Sequence, residues 1–133
     1  MRKMLYVTPA CLYMGLIYGL SSRPAPEVFQ GWSMFGPVKL VHLVEYGILA
    51  ILWVWGLKRA TLWPPWRVIT TAIIITFLWG ISDEIHQAFV PGRSGKIADA
   101  MTDLLAASLA IVLLSLFQNI SAKLHHGIMI KGE

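Results

Sequence analysis

Three groups of chemically capable side chains interrupt an otherwise apolar chain. His42, Glu45 and Tyr46 form the first, at spacings of three and four that put them on one helical face. Asp83, Glu84 and Gln87 form the second, with Arg93 and Lys96 in the turn that follows. Asp99 and Asp103 form the third, four apart and so again on one face. A carboxylate beside an imidazole in apolar surroundings is a workable acid–base unit. Asp83, Glu84 and His42 are therefore the candidate catalytic groups. Arg93 and Lys96 suit a phosphate or a carboxylate, and Gln87, Asp99, Asp103, Glu45 and Tyr46 would complete a binding surface. An ion network of this kind can also serve only to fix helix register.

His42, Glu45, Asp83, Glu84, His86, Asp99 and Asp103 include ligand types for zinc or a harder divalent ion. Neither H-E-x-x-H nor a cysteine pair accompanies them, and no metal is expected. Walker A, Rossmann glycine and G-x-S-x-G patterns are also missing, and no cofactor is expected.

These groups must be positioned by segments that are too apolar for water. The chain has 133 residues, 56% hydrophobic and only 14% charged, where soluble domains carry about 25% charged residues. A chain this small could not hide that much apolar surface inside itself, so the bilayer is its expected solvent. The formal charge of +4 is read as Lys and Arg anchoring helix ends rather than as a nucleic-acid surface. Cys11 is the single cysteine, so no intrachain disulfide can form.

Four transmembrane helices are expected, over about 4–20, 39–57, 67–89 and 97–117, in one domain covering residues 1–133. No A-x-A-like site follows the first apolar run, whose exit reads Ser21-Ser22-Arg23-Pro24, so it is expected to be retained. Pro9 lies inside that run and should kink it. Residues 21–38 carry Pro24, Pro26, Gly31, Gly36 and Pro37 among aromatic residues, and are expected to lie on the membrane surface. The third run is too short unless its helix continues through Asp83 and Glu84. That continuation gives twenty-two residues from Val68 to Phe89, or about 33 Å. Residues 118–133 read as a polar to amphipathic tail.

The N-terminus, the second turn and the tail carry seven of the eleven Lys and Arg, which places both termini in the cytoplasm. The three polar groups then fall at one level, in the outer leaflet. Charges at that depth should turn inward and find partners. The expectation is an all-α four-helix bundle with a polar pocket open to the outside.

The run Asp83-Glu84-Ile85-His86-Gln87-Ala88-Phe89-Val90-Pro91-Gly92-Arg93, followed by Asp99 and Asp103, resembles the signature of the VanZ-like family, D-E-x-x-Q-x-F-x-P-G-R and then an acid on the next helix. Lys39, His42 and Tyr46 match its K-x-x-H-x-x-x-Y pattern, and Ser21-Ser22 also fit. Where the family often carries Asn or Gly after the acid of the fourth helix, this chain has Asp103 and Ala107. The resemblance implies a small bacterial inner-membrane protein. It also implies a link to the resistance to teicoplanin, a glycopeptide, that is associated with the founding member. The expected partners are the lipid bilayer and an amphiphilic envelope molecule, either a lipid-linked wall precursor or a lipoglycopeptide. Binding or modification of that molecule is the leading reading. Proton or ion translocation and a non-catalytic assembly role are the alternatives.

Overall fold

The computed structural model describes residues 2–24, 37–93 and 95–130. Side chains of residues 2, 37–39, 97–99, 103 and 118–130 lie outside the description, as does most of the expected surface connection. Among the described residues the chain is helical, with no strand. A short 3₁₀ segment, Arg2–Tyr6, precedes α1 (Thr8–Ser21), α2 (Pro37–Ala60), α3 (Pro65–Gln87) and α4 (Ile97–Ile130).

The first run is divided rather than kinked. Pro9 falls in the opening turn of α1, where a residue without an N–H costs nothing because that donor has no intrahelical acceptor. The helix therefore starts at the proline instead of bending around it. With 14 residues, α1 is about 21 Å long. Among the described residues three segments are long and apolar enough to cross a membrane: Leu40–Ala60, Pro65–Gln87 and Ala100–Phe117. Only 39%, 33% and 24% of them is buried inside the molecule, so most of their apolar surface needs lipid to cover it. The helix α3 does continue through Asp83 and Glu84 and ends at Gln87. The helix α4 runs on through the expected tail to Ile130. No proline interrupts residues 98–130, and Gly127 is the single glycine there, so local chemistry gives the helix no reason to stop earlier.

Helix α2 is the hub, packing against the 3₁₀ segment, α1, α3 and α4. Its buried residues, Tyr46, Leu49, Ala50, Trp53, Val54 and Leu57, recur at spacings of three, one and three along one face. The helix α3 offers Val68, Ala72, Thr76, Gly80, Asp83 and Gln87, mostly small or polar. Small residues let helices approach closely where lipid supplies no hydrophobic drive for association. A Cβ at Gly47 would lie 3.4 Å from the Ala110 Cβ, so α2 and α4 meet there almost backbone to backbone. At the other end of α2, a Cβ on Gly56 would lie 2.7 Å from the Tyr6 carbonyl oxygen. The 3₁₀ segment thus rests on bare α2 backbone.

That contact makes Gly56 a sensitive position. Gly56→Ala must displace the 3₁₀ segment, and it should lower stability by about 1–3 kcal/mol. Thermal unfolding of the detergent-purified chain measures this, and an unchanged midpoint would contradict the close approach.

Candidate functional site

The polar residues gather where the C-terminal ends of α1 and α3 meet the first half of α2. At their centre is Asp83, only 3% exposed. Its Oδ2 accepts three hydrogen bonds: from Ser21 Oγ on α1 at 2.9 Å, Tyr46 Oη on α2 at 3.1 Å and Gln87 Nε2 on α3 at 2.7 Å. Gln87 Nε2 also donates to Ser21 Oγ at 3.3 Å, closing a ring. The four-residue step from Asp83 to Gln87 is one helical turn, which is why both present to the same neighbours. Asp83 Oδ1, by contrast, is buried and accepts no hydrogen bond among the described residues.

Arg93 locks the ring from outside. Its Nη1 donates to Gln87 Oε1 at 3.2 Å and its Nε to the Arg23 carbonyl at 2.9 Å. The first bond fixes the Gln87 amide orientation, since an arginine can only donate. Among the described residues Nη2 of Arg93 makes no hydrogen bond. The turn that delivers Arg93 follows from sequence. Pro91 and Gly92 occupy its centre, Gly92 has φ 77°, and Arg93 N–H donates to the Val90 carbonyl at 3.1 Å. Proline then a positive-φ glycine is the pattern of a type II turn.

An outer tier lies beside the ring. Ser22 Oγ donates to the Tyr18 carbonyl at 2.7 Å and lies 3.0 Å from His86 Nε2. With the single hydroxyl proton used, His86 Nε2 is the donor in that pair. The Tyr18 ring covers the imidazole at a centroid distance of 4.3 Å. Ser22 and Tyr18 are exposed and His86 is half-buried.

Glu84 has a different position. One residue from Asp83, it points about 100° away around α3, and its Oε2 accepts the Lys96 backbone N–H at 2.8 Å. That amide is at the entrance to α4, so Glu84 satisfies one of the donors a helix start leaves open. Gly95 makes this possible, because a Cβ there would collide with the Glu84 carbonyl oxygen. The Lys96 side chain is exposed.

Of the candidate residues, the structure thus brings together Asp83, Gln87, Tyr46 and Arg93. His42 stacks on Tyr46 with ring centroids 6.0 Å apart, one turn beyond the ring. Glu45 is half-buried on the same turn of α2 and also has an interaction partner. Asp99 and Asp103 are in α4, but their side chains lie outside the described residues. Among the described residues no three His, Cys, Asp or Glu side chains converge as metal ligands would. Spacing does not single out Ser21 or Ser22 as site residues, and it offers His86 only as a metal-ligand type. The doublet Ser21-Ser22 at the end of the first apolar run was the available signal.

A family model described as VanZ/LLP1 matches residues 13–118. The chain belongs to the VanZ/LLP1 family. No curated protein and no solved structure matches it. Family membership and three apolar helices together make this a VanZ-like membrane protein. The VanZ/LLP1 match contains the whole Asp83 ring and Arg93, and it excludes the 3₁₀ segment.

Because Ser21 and Tyr46 share one acceptor atom, their losses should not add. Ser21→Ala and Tyr46→Phe should each cost about 1–3 kcal/mol. The double variant should depart from the sum by at least about 0.5 kcal/mol. A double-mutant cycle read by unfolding in detergent tests this, and strict additivity would mean that the two hydroxyls do not share Oδ2.

Proposed function

We propose that this is a bacterial inner-membrane protein whose polar site binds or modifies an amphiphilic cell-envelope molecule, with a link to teicoplanin resistance. In this reading the 3₁₀ segment and α1 together form a fourth span, both termini are cytoplasmic and the Asp83 end faces outward within the outer leaflet. The reading extends to one domain over the whole chain.

The observation that carries it is the uneven use of the Asp83 carboxylate. Three donors converge on Oδ2 while Oδ1 has none. Leaving a buried acceptor unfilled costs about 1–3 kcal/mol. A cluster that existed only to fasten helices would be more stable with both oxygens used. A buried unfilled oxygen, in a ring whose Ser21 adjoins the accessible tier of Ser22, Tyr18 and His86, suits a site that takes a donor from a ligand headgroup. Arg93 adds an unspent Nη2, and Lys96 an exposed ammonium, for the phosphate or carboxylate of the same headgroup. His42 and Glu45, next to Tyr46, are the groups placed to assist if the bound molecule is also modified. Asp99 and Asp103 complete the proposed surface from α4. Glu84, which binds the start of α4, serves in this reading chiefly to hold Lys96 and α4 in place.

The test separates binding from assembly. Asp83→Asn keeps the shape but puts an amide among donors, and Arg93→Ala removes the clamp. Each should reduce retention of envelope lipids and wall precursors by the purified protein at least about fivefold, or 1 kcal/mol. Any teicoplanin resistance conferred by the gene should fall with it, while membrane abundance stays within a factor of two. If phenotype and abundance fall together, the cluster is an assembly element and the binding reading fails.

A further inference from the structure

The opposite end of the molecule carries a second constellation that the Asp83 site does not use. The close approach of Gly56 to Tyr6 and the edge-to-face contact of Tyr6 with Trp55 bring the 3₁₀ segment to the C-terminal end of α2. Lys3, Lys58, Arg59 and Arg67 are therefore at one end, and all four are exposed. No Asp or Glu occurs before residue 27, from 46 to 82 or from 104 to 132. The described helices thus supply no carboxylate to neutralise this end.

Two of these cations are held in place. The Arg59 guanidinium lies over the Trp55 ring at 4.4 Å. Arg67 lies between two rings, 5.9 Å from Trp63 and 5.5 Å from Trp66. The connecting turn is itself pinned: Thr61 N–H and Oγ1 both donate to the Leu57 carbonyl, and Trp63 N–H donates to Thr61 Oγ1. Stacking on an indole leaves the edge of a guanidinium, where its N–H groups lie, free to meet an anion. Leu62, 95% exposed, belongs to the same turn, and Trp66, 63% exposed, opens α3 directly after it. Indoles favour the headgroup level of a bilayer.

We infer that the α2–α3 turn and the 3₁₀ segment form a binding site for an anionic phospholipid, with Arg59 and Arg67 on the phosphodiester and Trp63, Trp66 and Leu62 against the glycerol and upper acyl chain. Each requirement of that ligand has a counterpart here. The negative charge meets four cations that no carboxylate of the described helices neutralises, the two non-bridging phosphate oxygens meet planar guanidinium edges, and the apolar chain meets exposed indole and leucine. A soluble anion would use only the first two.

Native mass spectrometry of the full chain in detergent, offered equal amounts of phosphatidylglycerol and phosphatidylcholine with matched acyl chains, tests this directly. Phosphatidylglycerol should be retained preferentially. Arg59→Gln and Arg67→Gln should each weaken that retention about fivefold, with phosphatidylcholine unaffected. Arg59→Lys with Arg67→Lys, which keeps charge but not the planar fork, should fall between. Both arginines are exposed, so the thermal midpoint should not move. Equal retention of the two lipids by the unaltered chain overturns the inference, as does a phosphatidylglycerol preference that survives the double Gln substitution. Displacement of the lipid by millimolar inorganic phosphate would also overturn it, assigning the site to a free anion. None of these outcomes depends on the ligand of the Asp83 site.

Discussion

One oxygen atom, Oδ2 of Asp83, holds donors from three helices within 3.1 Å. That convergence is a positional constraint more than a reservoir of energy. A hydrogen bond weakens steeply with misalignment, so Ser21, Tyr46 and Gln87 cannot all reach one atom unless α1, α2 and α3 are fixed in height and rotation together. In lipid the apolar faces of helices have little reason to choose one neighbour over another. A shared polar acceptor supplies the choice. The apolar core below Tyr46 then follows in register: Leu49, Ala50, Trp53, Val54 and Leu57 on α2 with Ala72 and Val68 on α3. The helix α4 joins by a separate device, the capping of its entrance by Glu84.

The two adjacent acids show how helix phase divides labour. Asp83 and Glu84 are neighbours in sequence and both are buried, yet one turns toward α1 and α2 and the other toward the start of α4. A rotation of about 100° per residue makes that division unavoidable. Substituting either acid must therefore disturb different contacts.

Much of the fold was legible because lipid imposes long apolar runs, and runs are easily counted. The continuation of α3 through Asp83 followed from length alone, and the common level of Tyr46, Asp83 and Gln87 followed from counting along antiparallel helices. The remainder depended on facts that spacing does not carry. Ser21 is a neutral residue at a helix end, a position serines occupy for ordinary reasons. It becomes a ligand of Asp83 only through a contact 62 residues away. Likewise Arg93 presented itself as a free cation for a ligand, but its Nε is spent on a backbone carbonyl, a group that no side-chain pattern displays. Pro9 was expected to kink a helix and instead begins one, because the residues before it take a 3₁₀ turn against Gly56.

The segregation of charge gives the molecule two independent ends. Tyr46 and Arg59 are thirteen residues apart on one helix, which is about 20 Å. At an effective dielectric constant of 20, two unit charges at that distance interact by under about 1 kcal/mol. The acids around Asp83 and the cations around Arg67 therefore cannot organise each other electrostatically across the apolar core between them. Each end must be explained by what it meets locally: a ring of neutral donors from three helices at one, and stacked indoles without a carboxylate from the described helices at the other. A pairing across the molecule would have needed neither arrangement.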